Sequence, residues 1–116
     1  MAAWPFVFAR KDAHDLTEVV INHESIHCRQ QIEVMIISAL VIGILVLAVH
    51  LSPWWFLLAP FIFYIWYGIE YFTRFVICGD DKKAYRGIAV EQEAYANEDN
   101  LSYLKIRKWF AWIRYY

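Results

Sequence analysis

Polar and apolar positions divide this chain into three stretches of different periodicity. From Leu16 to Gln31 the pattern is that of a helix. Leu16, Val19, Val20, His23, Glu24, His27 and Gln31 fall on one stripe, and Glu18, Asn22, Ser25 and Arg29 fall on another. Asp15-Leu16-Thr17-Glu18 has the spacing of an N-cap followed three residues later by an acid, so a helix is predicted over about 15–31. No breaker follows it before Gly43, and the helix is expected to run on into the next stretch. There the alternation disappears. From Val34 to Ile69, 36 residues contain no Asp, Glu, Lys or Arg. One helix of that length would measure about 54 Å, against a hydrocarbon core of about 30 Å. Two antiparallel crossings, about 32–51 and 53–72, each come close to the required length of ~20 residues. His50-Leu51-Ser52-Pro53 reads as the tip between them, because proline suits a first helical turn and disfavours helix in the residue before it. Trp54, Trp55 and Phe56 follow as an aromatic belt at the far interface. Neither crossing carries a polar stripe that could face water, which argues against a buried soluble hairpin.

Past the second crossing, Gly79-Asp80-Asp81 is a turn signal. A further helix is predicted over about 87–100, passing Glu91 to Glu98. The tail, 101–116, mixes Lys105, Arg107, Lys108 and Arg114 with Trp109, Phe110, Trp112 and Ile113, which predicts an amphipathic helix lying on the membrane surface. Composition agrees with a single all-α integral membrane domain over 1–116: 60% of the residues are apolar, 19% aromatic and 20% charged. A net charge of −1 leaves no electrostatic footprint for nucleic acid. The eleven basic residues all lie outside the hairpin and none at its tip, so the positive-inside rule places both termini in the cytoplasm. Met1 to Arg10 does not fit a cleavable signal peptide. Cys28 and Cys78 are then expected as free thiols on the reducing side. Glu70 and Arg74, spaced i, i+4, are expected to form a structural ion pair.

The chemistry concentrates in Asn22-His23-Glu24-Ser25-Ile26-His27. Histidines at i and i+4 share a helical face and can reach one metal ion, while the glutamate between them can take a proton from a water on that metal. A zinc site, one per chain, needs a third protein ligand. His50 lies some 23 residues and ~35 Å along a helix from His27, at the opposite membrane face. The carboxylates of Glu91-Gln92-Glu93-Ala94-Tyr95-Ala96-Asn97-Glu98 are better placed. Ile88, Glu91, Ala94, Tyr95 and Glu98 share a mostly apolar helical face, whereas Glu93 sits with Asn97 and Asn100 on a more polar one. Helical geometry therefore favours Glu91 as ligand, with Glu93 second and Glu98 as an orienting group.

His23-Glu24-x-x-His27, a transmembrane hairpin and a later Glu91-x-x-Ala94 together resemble the integral-membrane gluzincin metallopeptidases. These include the prenyl-protein (CAAX) endopeptidases, the membrane heat-shock proteases and, more loosely, the sensor proteases of β-lactam resistance. The resemblance implies zinc held by His23, His27 and Glu91, with Glu24 as general base. Tyr95 stands where those families have an aspartate. Over about 15–105 the chain is also similar to short bacterial integral-membrane proteins with an HExxH motif. The segments Asn22–His27, Trp66–Tyr71 and Glu91–Glu98 carry that similarity. It brings no known substrate but implies the bacterial inner membrane as location and the bilayer as partner; the metallopeptidase resemblance implies a peptide or membrane-protein substrate, cut near the cytoplasmic face. Tyr95 or His14 could donate a hydrogen bond to the oxyanion. So short a chain offers little substrate groove, which points to a homo-oligomer or a larger membrane complex. A non-catalytic small membrane subunit with a structural metal is the alternative. A di-iron oxidase is disfavoured, since no second Glu-x-x-His occurs.

Overall fold

The computed structural model describes residues 18–116, and residues 2–3 and 6–7 as backbone only. The expected cap at Asp15 to Thr17, and His14, lie outside the described residues. Ala2–Ala3 (β1) and Phe6–Val7 (β2) form a two-residue antiparallel pairing, Ala2 opposite Val7. Everything else of regular structure is helical, so the fold is all-α.

One helix, α1, runs unbroken from Glu18 to Val49. At 1.5 Å per residue its 32 residues extend about 48 Å, so the histidine motif and the first apolar stretch form a single rod. Its two halves are buried in opposite senses. Near the base, Asn22, His23, Ile26, His27, Gln30, Gln31 and Glu33 are buried, and beyond them only Ile42 is. The distal half leaves Leu40, Ile44 and Leu47 at 63%, 64% and 81% exposure. Polar groups inside and large apolar groups outside reverse the usual arrangement in water, where buried polar atoms are costly and broad apolar surface needs a cover. Two stretches, Glu18–Val49 and Pro53–Cys78, are long and apolar enough to cross a membrane.

The connection falls where the sequence places it. His50 takes a left-handed backbone (φ 53°) just past α1. The return does not begin as an α-helix, however. Pro53–Leu58 is a 3-10 helix, and α2 spans Ala59–Cys78. The reason is Pro60: without an N–H it fits only the first turn of an α-helix, so the regular ladder starts around it. The helix also outlasts the expected limit at residue 72. It stops at Gly79, whose φ of 64° suits glycine and whose N–H caps the Phe75 carbonyl at 2.8 Å.

Asp80 then opens a short helix that periodicity did not reveal, α3 (Asp81–Gly87), by accepting from the Lys82 and Lys83 amides. Helix α4 covers Ala89–Asn97. It starts two residues later and ends three residues earlier than the expected 87–100 helix. Glu70 does pair with Arg74, at 3.0 Å. The same carboxylate accepts from the Ala89 amide and from the Tyr116 hydroxyl, tying α2 to the start of α4 and to the chain end. Both cysteines are free, as expected.

The tail is the main departure. In place of one amphipathic helix over 101–116 there is a single turn, α5 (Tyr103–Ile106), then a 3-10 helix, Ala111–Tyr115. Arg107 is extended and Phe110 left-handed (φ 57°) between them. The segment folds back over α4. Trp112 packs on the core of Phe63, Ile88 and Val90, and Ala111 is buried. Apolar spacing suited a surface helix, but it did not show that Arg107 had buried partners to reach.

Candidate metal centre

His23 and His27 project from the buried base of α1, and Glu91 comes from the first turn of α4. His23 Nε2 and His27 Nε2 lie 3.1 Å apart, and Glu91 Oε2 stands 3.5 and 3.3 Å from them. These three buried ligand atoms form the one compact group able to hold a metal ion among the described residues. Ligands at 2.0–2.1 Å around a tetrahedral ion would be separated by roughly 3.3 Å, so the triangle has the size of one face of such a polyhedron. Glu91 Oε2 is also buried without a hydrogen-bond partner. An acceptor atom in that position fits a cation.

The outer contacts orient the ligands. Glu98 Oε2 accepts from His23 Nδ1 at 2.9 Å, and Gln30 Oε1 accepts from His27 Nδ1 at 2.8 Å. A ring nitrogen that donates on one side leaves the other nitrogen bare for a metal. Tyr67 donates to Glu91 Oε1 at 2.8 Å, which leaves Oε2 facing the histidines. Burial would raise the Glu91 carboxyl, but the facing imidazoles of His23 and His27 and the Tyr67 hydroxyl outweigh it. The group is held well below the usual carboxylate range. Asn22, expected on the outward stripe, is buried instead and donates through Nδ2 to the carbonyls of Asn97, Glu98 and Asn100. It thereby caps the end of α4 beside the glutamate that steadies His23. Val20, expected on the inner stripe, is 43% exposed.

Glu24 is not part of the compact group, yet it lines a cavity of about 430 Å³ with His27 and Glu91. Gln31, Phe63, Tyr64, Tyr67 and Tyr85 form the remaining walls. Tyr95 does not line this cavity; its ring packs edge-on against His23, with centroids 4.7 Å apart. Of the three tyrosines that do line it, Tyr64 and Tyr67 come from α2 and Tyr85 from the helix the sequence did not reveal. Burial, followed by the nearby Glu91 charge, pushes the Tyr85 phenol up, so it remains a hydrogen-bond donor.

Glu93 is not the exposed acid its position implied. It is fully buried and receives hydrogen bonds from Gln30, Tyr103 and Arg107. It belongs to a separate charge cluster, completed by Glu33 on α1. His50, beyond the far end of α1, takes no part in the site.

The fold and site thus define an all-α protein with two helices long and apolar enough to cross a membrane and a buried His-His-Glu group that could hold a metal ion. No protein-family model, curated protein or solved structure matches the chain.

Proposed function

We propose that this protein is a gluzincin-like zinc metallopeptidase of the bacterial inner membrane, cutting a peptide bond near the cytoplasmic face. The observation that carries the reading is the convergence of His23 Nε2, His27 Nε2 and Glu91 Oε2 within 3.5 Å of one another, beside a cavity that also contains Glu24. Two imidazoles and one carboxylate are a ligand set used by catalytic zinc sites, which keep a fourth position open. When bound, zinc would supply Lewis acidity toward a carbonyl and make a water more acidic. Glu24 is the group in the cavity wall able to take the proton of the attacking water and return it to the leaving nitrogen. Tyr85, which lines the cavity where Tyr95 does not, would donate to the developing oxyanion. Phe63 and Tyr64 offer an apolar wall for a substrate side chain. A second copy or a larger membrane complex would supply the rest of a peptide groove.

Two results test this. Protein purified in detergent should carry about one zinc per chain, and Glu24→Gln should keep that zinc while any peptide hydrolysis falls by about 10²–10⁴-fold, the range for a lost general base. Unchanged hydrolysis in Glu24→Gln would leave the metal a structural role in a non-catalytic subunit. For the topology, a reporter fused after Tyr116 should be active only as a cytoplasmic fusion, since basic residues flank the hairpin base and avoid its tip. A periplasmic signal from that fusion would refute the two-crossing arrangement.

A further inference from the structure

The contact that orients His27 does not end at Gln30. That amide is fully buried on α1, one turn beyond His27. Its Nε2 donates to two acceptors, the Val90 carbonyl at 3.0 Å and Glu93 Oε2 at 2.8 Å. Its Oε1 is therefore the end left for His27 Nδ1, and it can only accept. Glu93 in turn is kept as a pure acceptor. Arg107 donates to Oε1 at 2.5 Å and to Oε2 at 3.1 Å, and Tyr103 donates to Oε1 at 2.9 Å. The links made by Gln30 are buried and those from Arg107 and Tyr103 to Glu93 part-buried, and donor and acceptor roles alternate consistently from Arg107 to the imidazole. Reversing the Gln30 amide would set its NH2 group against His27 Nδ1 and move the ring proton to Nε2. A protonated Nε2 cannot bind a metal.

We infer that Gln30, held by Glu93 and Arg107, is a positioning residue that fixes the His27 tautomer and so ties metal uptake to the docking of the C-terminal segment. This rests on the metal-centre reading above and adds a residue and a segment to it. Arg107 lies 80 residues along the chain from His27, yet only two side chains, Glu93 and Gln30, separate them in space. With the tail undocked, Glu93 loses the Arg107 and Tyr103 donors that fix its role, and the Val90 carbonyl is left as the one acceptor that still holds the amide in place.

The test uses the full-length protein, with zinc in competition against a chromophoric chelator and nitrogen NMR of 15N-labelled histidine. Gln30→Met should lower zinc affinity about 10–100-fold, the usual effect of losing a contact behind a metal-binding histidine. Glu33→Gln touches the same guanidinium but leaves the chain from Arg107 to His27 intact, so its zinc affinity should stay within about threefold of wild type. In the metal-free wild type, the His27 proton should sit on Nδ1, and in Gln30→Met the two tautomers should mix. Equal zinc affinity in wild type and Gln30→Met overturns the inference. So does a wild-type His27 whose proton sits on Nε2, a measurement that needs no variant to fold. Failure of the wild type to take up zinc would instead overturn the metal centre itself.

Discussion

Replacing His23 or His27 by Ala, or Glu91 by Gln, is expected to weaken zinc binding by at least about 10²-fold. Structural zinc sites with four ligands bind with roughly 10–16 kcal/mol, so one protein ligand accounts for roughly 3 kcal/mol, or about two decades of affinity. The three losses should be similar, because the three atoms approach one another at nearly equal distances of 3.1, 3.3 and 3.5 Å. The metal-free protein should respond as well, because the facing imidazoles of His23 and His27 favour the charged Glu91 carboxylate and Glu91→Gln removes that contact. Thermal melts with and without zinc should therefore diverge. The wild type should gain stability on zinc addition, whereas the Glu91→Gln variant should melt at or below metal-free wild type and gain little from zinc. A Glu91→Gln variant that gains as much from zinc as wild type would show that Glu91 does not bind the metal.

Much of this centre was legible because helices impose strict spacing. His23 and His27 at i, i+4 had to share a face, and because α4 is regular across both acids it turns Glu91 toward the histidines and Glu93 away from them. Glu98 likewise falls about two turns beyond Glu91 on the same face, at the C-terminal end of α4, where it meets His23 Nδ1. Legibility ended where tertiary contacts override local pattern. Asn22 and Glu93 looked like outward polar residues, but each is buried because a partner elsewhere satisfies it: the carbonyls closing α4 for Asn22, and Arg107 for Glu93. Tyr85 was hidden by a short helix whose only local signal is the Asp80 cap. The hairpin shows the same division. Its existence follows from an uncharged run too long for one crossing, whereas its 3-10 entry depends on one proline within that run, Pro60.

Arg107 is the residue whose loss should damage the fold most. Its side chain is 3% exposed, and it bridges Glu33 on α1 and Glu93 on α4, both buried. Burial alone would weaken the guanidinium charge, but the two carboxylates more than offset this and raise it. The cluster holds one cation and two anions, so the three substitutions are not equivalent. Glu33→Gln leaves a one-to-one pair between Arg107 and Glu93 and is expected to cost little, about 1 kcal/mol for a weakened hydrogen bond. Arg107→Met leaves two adjacent buried carboxylates with no counter-charge, a change on the scale of about 3–5 kcal/mol. For a unit of this size that corresponds to a fall in apparent Tm on the order of 10–20 °C. The charge count also predicts a reversal of sign. In the Arg107→Met background, Glu33→Gln should become stabilising, because it removes one of two repelling buried charges, while in wild type it is destabilising. Thermal denaturation of the four proteins in one double-mutant cycle measures this directly. If Glu33→Gln destabilises both backgrounds equally, the two carboxylates do not share the guanidinium, and Arg107 holds the tail to α4 alone.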